Sequence, residues 1–164
     1  MTATIPAHRM QLVDLAPRQY GAMFRFSSSV ELDHTIRLLI EIRASQINGC
    51  AFCLDMHWKD ARAAGESEER LYMLGAWRES ALYSERERAA LELTEAITEI
   101  AGRGVSDAVW DRAADVFSEK ELAQVVFAIT VINAWNRLSI TTQNEPGQYY
   151  PGMFDAPAGA GNGH

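Results

Sequence analysis

The chain has 164 residues, of which 48% are hydrophobic and 23% charged, and its net charge is −7. This size and balance are typical of one globular domain that can bury a core of its own. The acidic charge and the lack of clustered lysine and arginine argue against nucleic-acid binding, and no apolar run reaches the ~20 residues of a membrane span. The N-terminus has no apolar run of the signal-peptide kind, which predicts a cytoplasmic protein.

The spacing of apolar residues predicts helices almost throughout and no sheet. A short helix is expected after Pro17, before a loop at residues 27–29. The next helix should cover the segment ELDHTIRLLIEIRASQING and stop at Asn48-Gly49, a common helix end. Another helix should run from about Cys50 to Ala64, and a short one should cover SEERLYMLGAW.

Serine residues mark the predicted starts of the last three helices. Ser84 and Ser118 are each followed three residues later by glutamate, the capping-box pattern, and Ser106 opens the helix between them. The prediction is an all-α, single compact domain of about seven helices. The last helix contains the run VVFAITVI, apolar on nearly all sides, so it should be central in the fold or shared with another subunit.

Both cysteines and one histidine lie within eight residues. In a helix Cys50, Cys53 and His57 have the spacing i, i+3 and i+7, which places all three on one face. If Asn48-Gly49 ends the preceding helix, Cys50 lies in a first helical turn, where free N–H groups stabilise an anion. Lowering a thiol pKa from ~8.5 to ~7 takes about 2 kcal/mol, which a helix start and an imidazole can supply.

The residues alone leave three other interpretations open. A structural disulfide is disfavoured, because so short a loop contributes only ~2 kcal/mol and cytoplasmic thiols stay reduced. Two inert buried cysteines are the plainest alternative. Zinc is the third, but structural zinc takes four ligands, and the remaining histidines, His8, His34 and His164, form no second motif.

The stretches RASQINGCAFCLDMH, DARAAGESEERLYMLGAW and ERERAALELTEA resemble the carboxymuconolactone decarboxylase superfamily, in its alkylhydroperoxidase AhpD-like branch. The resemblance covers about residues 30–100, with a weaker echo, INAWNRL, at residues 132–138. It implies an all-helical fold that assembles into trimers or hexamers, and a CxxC pair that alternates between dithiol and disulfide while reducing peroxides. The decarboxylase branch lacks the cysteine pair. No cofactor and no bound metal are expected.

The resemblance also implies roles for the trio. Cys53 would be the peroxidatic thiolate that becomes a sulfenic acid, and Cys50 would resolve it as the intramolecular disulfide. His57, one turn beyond Cys53, would be the general base. Ser45 matches the family pattern too, but a serine near a helix end is expected to bond the local backbone.

Two positions depart from the family pattern. The characterised alkylhydroperoxidases have a proton-relay glutamate twelve residues before the first cysteine, where this chain has Leu38. They often have a histidine just before the second cysteine, where this chain has Phe52. The first departure leaves the relay without its carboxylate.

Glu41 is the candidate replacement for that carboxylate. It lies one helical turn from Leu38 and is expected to act through a water molecule, with His34 one turn the other way as a further candidate. The alternative is that Glu41 only pairs with Arg37 or Arg43.

Other polar and aromatic positions carry weaker expectations. Asn133 and Asn136 interrupt an apolar helix, so they must find hydrogen-bond partners if buried. They either fasten neighbouring helices or line the mouth of a thiol pocket. The tryptophans are expected in the core or at an interface; they are Trp58, Trp77, Trp110 and Trp135.

Three functions therefore compete. The first is a thiol peroxidase, with a peroxide substrate and an unknown dithiol or protein electron donor. The second is a non-catalytic redox-sensing oligomer, and the third is a zinc-binding structural protein. The redox hypotheses require two sulfur atoms within bonding distance and open to an oxidant. A homo-oligomer, trimer or hexamer, is expected in either redox case.

The chain should divide into three parts. Residues 1–29 are expected to form an N-terminal extension with a short helix, residues 30–154 the AhpD-like helical domain, and residues 155–164 a mobile tail.

Overall fold

The computed structural model describes residues 8–154, and in this range the chain forms helices and no strand. The α-helices are α1 (Leu12–Leu15), α2 (Pro17–Ser28), α3 (His34–Asn48), α4 (Ala51–Ala63), α5 (Glu68–Met73), α6 (Glu85–Thr98), α7 (Asp107–Val116) and α8 (Glu119–Thr142). A 3₁₀ helix, Leu74–Glu79, lies between α5 and α6. The all-α prediction is confirmed. The predicted mobile tail, residues 155–164, and the first seven residues lie outside the described range.

The predicted helices are present, with local differences at their ends. The helix after Pro17 extends to Ser28, into the loop expected at residues 27–29, and the hydroxyls of Ser28 and Ser29 donate to the carbonyls of Phe24 and Phe26, which satisfies its last turn. The segment expected as one short helix is divided: α5 ends at Met73, a 3₁₀ helix continues from Leu74, and Ala76 inside it leaves helical geometry.

The serine caps are confirmed at two of three positions. Ser84 and Ser118 form complete capping boxes, in which the serine and the glutamate three residues later each accept a backbone N–H. Ser106 occupies the cap position of α7, but its side chain makes no capping hydrogen bond.

Helix α3 is the central element that carries one side of the candidate site. It packs against α4, α6 and α8. One core cluster joins α3 to α6 and α8 through Ile40, Leu93 and Ile129, while a second joins Leu39 and Ile42 to the α5 region. Burying each such side chain contributes about 1.5–3 kcal/mol, so α3 is held firmly from two sides.

The prediction of a central last helix is confirmed, since Val125 and Ile129 of α8 are fully buried. Of the tryptophans, Trp77 is buried, whereas Trp58 and Trp135 are half-buried. Trp110 is 45% exposed, so the core alternative is wrong for it, and a place at an interface stays a prediction. No helix within residues 8–154 has both the length and the apolar character needed to cross a bilayer.

Candidate active site

The turn between α3 and α4 places the first cysteine. Helix α3 ends at Asn48, and Gly49 follows in the left-handed conformation with a φ of 71°, which costs glycine little. The Cys50 N–H then donates to the Ser45 carbonyl at 3.0 Å, and α4 begins at Ala51. The predicted helix stop is confirmed, and the two helices are joined by only two residues.

Cys50 and Cys53 are joined by a disulfide in this structure, with 5.4 Å between their Cα atoms, within the ordinary disulfide range. Cys50 is the N-cap of α4 rather than a residue of its first turn, where it was expected. Its sulfur accepts the Cys53 backbone N–H at 3.3 Å. The sulfur therefore occupies the position where a helix start best stabilises negative charge.

His57 and Glu41 form a buried pair beside the cysteines. The Glu41 Oε2 atom lies 3.2 Å from the His57 Nδ1 atom, and the two residues are only 9% and 8% exposed. A carboxylate at Nδ1 accepts the Nδ1–H and so leaves the lone pair on Nε2. That Nε2 atom is buried and has no hydrogen-bond partner among the described residues. Glu41 thus contacts the imidazole directly, and the expected water between them is not needed.

Arg37 occupies the other oxygen of the same carboxylate. Its Nε atom donates to Glu41 Oε1 at 2.9 Å, and its guanidinium also donates to the carbonyls of Ser27 at 3.2 Å and Val30 at 3.4 Å. Glu41 is therefore fixed between an arginine and the imidazole. The alternative pairing with Arg43 is wrong, because Arg43 pairs with Glu95 at 2.8 Å.

The other relay candidate, His34, and the two positions that depart from the family pattern lie elsewhere. His34 is the first residue of α3 and is exposed; it lies seven positions before Glu41, or roughly 10 Å of helical rise. Leu38 is buried in the core cluster that faces α5. Phe52 is half-buried on α4 and carries no titratable group.

The disulfide is closed to solvent. Cys50 is 1% exposed and Cys53 is 2% exposed. The first requirement of the redox hypotheses, sulfur atoms within bonding distance, is met, whereas the second, an open path for an oxidant, is not met in this oxidised arrangement.

A buried polar network, which the sequence identified only in part, lies behind the turn. Asn136 is fully buried; its Oδ1 accepts from Asn48 Nδ2 at 2.8 Å and its Nδ2 donates to Ser45 Oγ at 3.0 Å. The two asparagines of α8 thus fasten neighbouring helices, the first of the two expected roles. Ser45 Oγ donates to the Glu41 carbonyl at 2.7 Å, as expected of a local backbone bonder. From the sequence, Asn48 was identified only as part of a helix stop.

Within residues 8–154, no group of three or more histidine, cysteine, aspartate or glutamate side chains is placed so that it could hold a metal ion.

Comparison with known proteins agrees with the fold and the motif. Residues 18–96 match the Carboxymuconolactone decarboxylase family. The uncharacterized protein YdfG of Bacillus subtilis (strain 168) is 42% identical over 141 residues, which are 84% of this chain and 96% of YdfG.

Solved structures extend the likeness to the whole fold. A protein of unknown function from Agrobacterium tumefaciens, ATU0492, considered a candidate AhpD antioxidant defence protein, has a TM-score of 0.83 and 36% identity, covering 87% of this chain and 100% of its own. The debrominase Bmp8 has a TM-score of 0.71 at 20% identity, covering 82% of this chain and 72% of its own, and shares the fold alone. The chain belongs to the carboxymuconolactone decarboxylase family and has the AhpD-like fold.

Proposed function

We propose that this protein is a thiol-dependent peroxidase whose Cys50–Cys53 pair alternates between dithiol and disulfide. The observation that carries the proposal is the buried Glu41–His57 pair. Glu41 contacts Nδ1 of the His57 ring and leaves Nε2 free, and His57 lies one helical turn after Cys53. In the proposed mechanism the carboxylate orients the imidazole and the imidazole takes the proton of the sulfur, as aspartate, histidine and serine do in a serine-protease triad.

The first half of the reaction oxidises Cys53. The Cys53 thiol gives its proton to His57 Nε2, and the thiolate attacks one oxygen of the hydroperoxide. The O–O bond breaks, and the leaving alkoxide takes the proton back from the imidazolium as an alcohol. Cys53 is left as a sulfenic acid.

The second half closes the disulfide. The Cys50 sulfur attacks the Cys53 sulfur, the S–S bond forms, and hydroxide leaves and takes up the Cys50 proton as water. A dithiol donor, small or protein, then returns two electrons and two protons. We place this reaction in the cytoplasm, where thiol reductants are maintained.

Two features of the oxidised site support these roles. The Cys50 sulfur caps α4, so its thiolate is stabilised for attack on the sulfenic acid. His57 Nε2 has no hydrogen-bond partner among the described residues. A reduced Cys53 thiol, one turn away on the same face, is the donor that this nitrogen lacks.

The test is oxidation of the reduced protein by one equivalent of hydrogen peroxide. Thiols are counted by mass spectrometry, and turnover is followed with a dithiol donor, with Cys53→Ser as the matched control. Rapid loss of both thiols with sustained turnover supports the peroxidase. One round of oxidation without turnover supports the redox sensor instead, and a bound metal that protects the thiols supports the zinc protein.

The proposal includes a homo-oligomer. Phe26 and Phe127 lie edge to face, 5.7 Å between ring centroids, yet remain 39% and 47% exposed on α2 and α8. Aromatic side chains left in water at this level are typical of surfaces that pack against another subunit.

A further inference from the structure

The buried amide network behind the α3–α4 turn has no part in the steps just described. Asn48, the last residue of α3, donates through its side-chain nitrogen to both asparagines of α8: to Asn136 Oδ1 at 2.8 Å and to Asn133 Oδ1 at 2.9 Å. Both hydrogens of one amide are thereby used. The residue next to the Gly49 turn is held at a single place on α8.

A second branch of the network reaches the site itself. Asn136 Nδ2 donates to Ser45 Oγ at 3.0 Å, and that hydroxyl donates to the Glu41 carbonyl at 2.7 Å. The Ser45 carbonyl accepts the Cys50 N–H at 3.0 Å. Ser45 thus links Asn136 to the backbone of Cys50 and to the helical turn that carries Glu41.

The chemistry of Asn136 calls for an explanation, because burying an amide in an apolar helix is costly unless its hydrogen bonds are made. Leucine has the same number of side-chain heavy atoms, branched at the same carbon, and carries no polar group that needs a partner. Asn136 is fully buried, and its amide makes bonds with Asn48 and Ser45, which flank the turn. The network therefore specifies one arrangement of the turn rather than adding general stability.

We propose that Asn136, acting with Asn48, is a positioning residue for the redox pair: it holds the α3–α4 turn so that the Cys50 sulfur stays within bonding reach of Cys53. The inference deepens the proposed function and rests on it for its role in turnover. The equilibrium that tests it is measured without peroxide, so the two can fail separately.

The experiment measures the equilibrium between the protein dithiol and oxidised dithiothreitol, in which the protein loses two electrons and two protons and the reagent gains them. For Asn136→Leu and for Asn48→Leu we expect the constant for disulfide closure to fall about tenfold, or about 30 mV towards easier reduction, because a freer turn lowers the effective concentration of one thiol near the other. The double variant should show little more than either single change, since both remove the same bond.

Thr94→Val is the matched control. Thr94 is also fully buried, but its hydroxyl donates only to the Ala90 carbonyl within α6, so its loss should leave the closure constant unchanged. The proposal is overturned if Asn136→Leu and Asn48→Leu fold, as judged by circular dichroism, and keep the constant within about twofold of the parent. If either leucine variant does not fold, Ser45→Ala decides by the same criterion, because it removes the acceptor of Asn136 Nδ2 together with the hydroxyl's own bond to the Glu41 carbonyl.

Discussion

Glu41 and His57 join helices α3 and α4 through a contact of 3.2 Å between Oε2 and Nδ1. The carboxylate comes from a position one helical turn beyond Leu38, where the resemblance to alkylhydroperoxidases led us to expect a relay glutamate. The direct contact makes Glu41 and His57 one unit, so the loss of either should disable the same proton transfer.

The first prediction concerns this pair. Glu41→Gln should lower kcat/KM for hydrogen peroxide by roughly 10²-fold, because a neutral amide neither selects the Nδ1–H tautomer nor stabilises the imidazolium. Stopped-flow measurement of peroxide consumption checks it. Glu92→Gln is the control, since Glu92 pairs with Arg112 at the surface and should leave the rate unchanged. Equal rates for the parent and Glu41→Gln would remove Glu41 from the mechanism.

The second prediction separates the two cysteines. Cys50→Ser should still react once with peroxide and should then retain a sulfenic acid on Cys53, because no thiol is left to resolve it. Cys53→Ser should lose the fast reaction. Labelling with dimedone followed by mass spectrometry identifies the oxidised sulfur. A sulfenic acid on Cys50 of the Cys53→Ser protein, formed at the parent rate, would reverse the two roles.

The candidate site was predictable wherever it depends on spacing along one helix. Cys53 and His57 share a face of α4 because their separation fixes it, with Cys50 at the N-cap. Gly49 marks the end of α3 because few other residues adopt its positive φ at low cost. Seven of the eight α-helices within residues 8–154 followed from the same periodicity and from the serine caps, whereas the four-residue helix α1 was not predicted.

Contacts between helices were not predictable in this way. Whether Glu41 reaches His57 depends on how α3 packs on α4. Whether Asn48 reaches Asn136 depends on the packing of α8, because Asn136 lies 88 residues further along the chain. Arg37 and Arg43 looked equivalent as partners of Glu41. Because α3 packs against α6, Arg43 forms its ion pair with Glu95 instead.

The third prediction follows from the burial of the sulfur atoms. Since Cys50 and Cys53 are only 1% and 2% exposed, an oxidant reaches them through local opening. Hydrogen peroxide should therefore oxidise the reduced protein at least about tenfold faster than cumene hydroperoxide, which needs a wider opening. Stopped-flow tryptophan fluorescence can follow both reactions. Equal rate constants would show that the dithiol state is open and that burial belongs to the disulfide alone.

The fourth prediction concerns assembly. Sedimentation velocity should find the parent as an oligomer, and Phe127→Glu should shift it to smaller species, because a charge at a packed aromatic surface cannot be desolvated without a partner. Glu119→Gln, a change in the first turn of the same helix, serves as the control and should sediment like the parent. A monomeric parent would contradict the prediction.

The fifth prediction concerns stability in acid. Burial by itself raises the pKa of Glu95, but hydrogen bonds from Trp77, Arg78 and Arg43 outweigh it, so the pKa lies below the ordinary value of 4.5. The unfolded chain therefore takes up this proton at a higher pH than the folded protein does. The contribution of Glu95 is complete above about pH 5 and is lost as the pH falls through 4.5 towards the folded pKa.

Glu95→Gln should consequently lower the free energy of unfolding at pH 7 by about 1.5–3 kcal/mol, since hydrogen bonds to a charged acceptor are lost. It should also flatten the fall in stability between about pH 5 and pH 3. Urea unfolding at several pH values measures both effects. The control is Glu69→Gln, an exposed glutamate, which should change stability by no more than about 0.5 kcal/mol. The glutamine variant has no proton to gain at this position. If its free energy of unfolding still falls with pH as steeply as that of the parent, carboxylates other than Glu95 govern the loss of stability in acid.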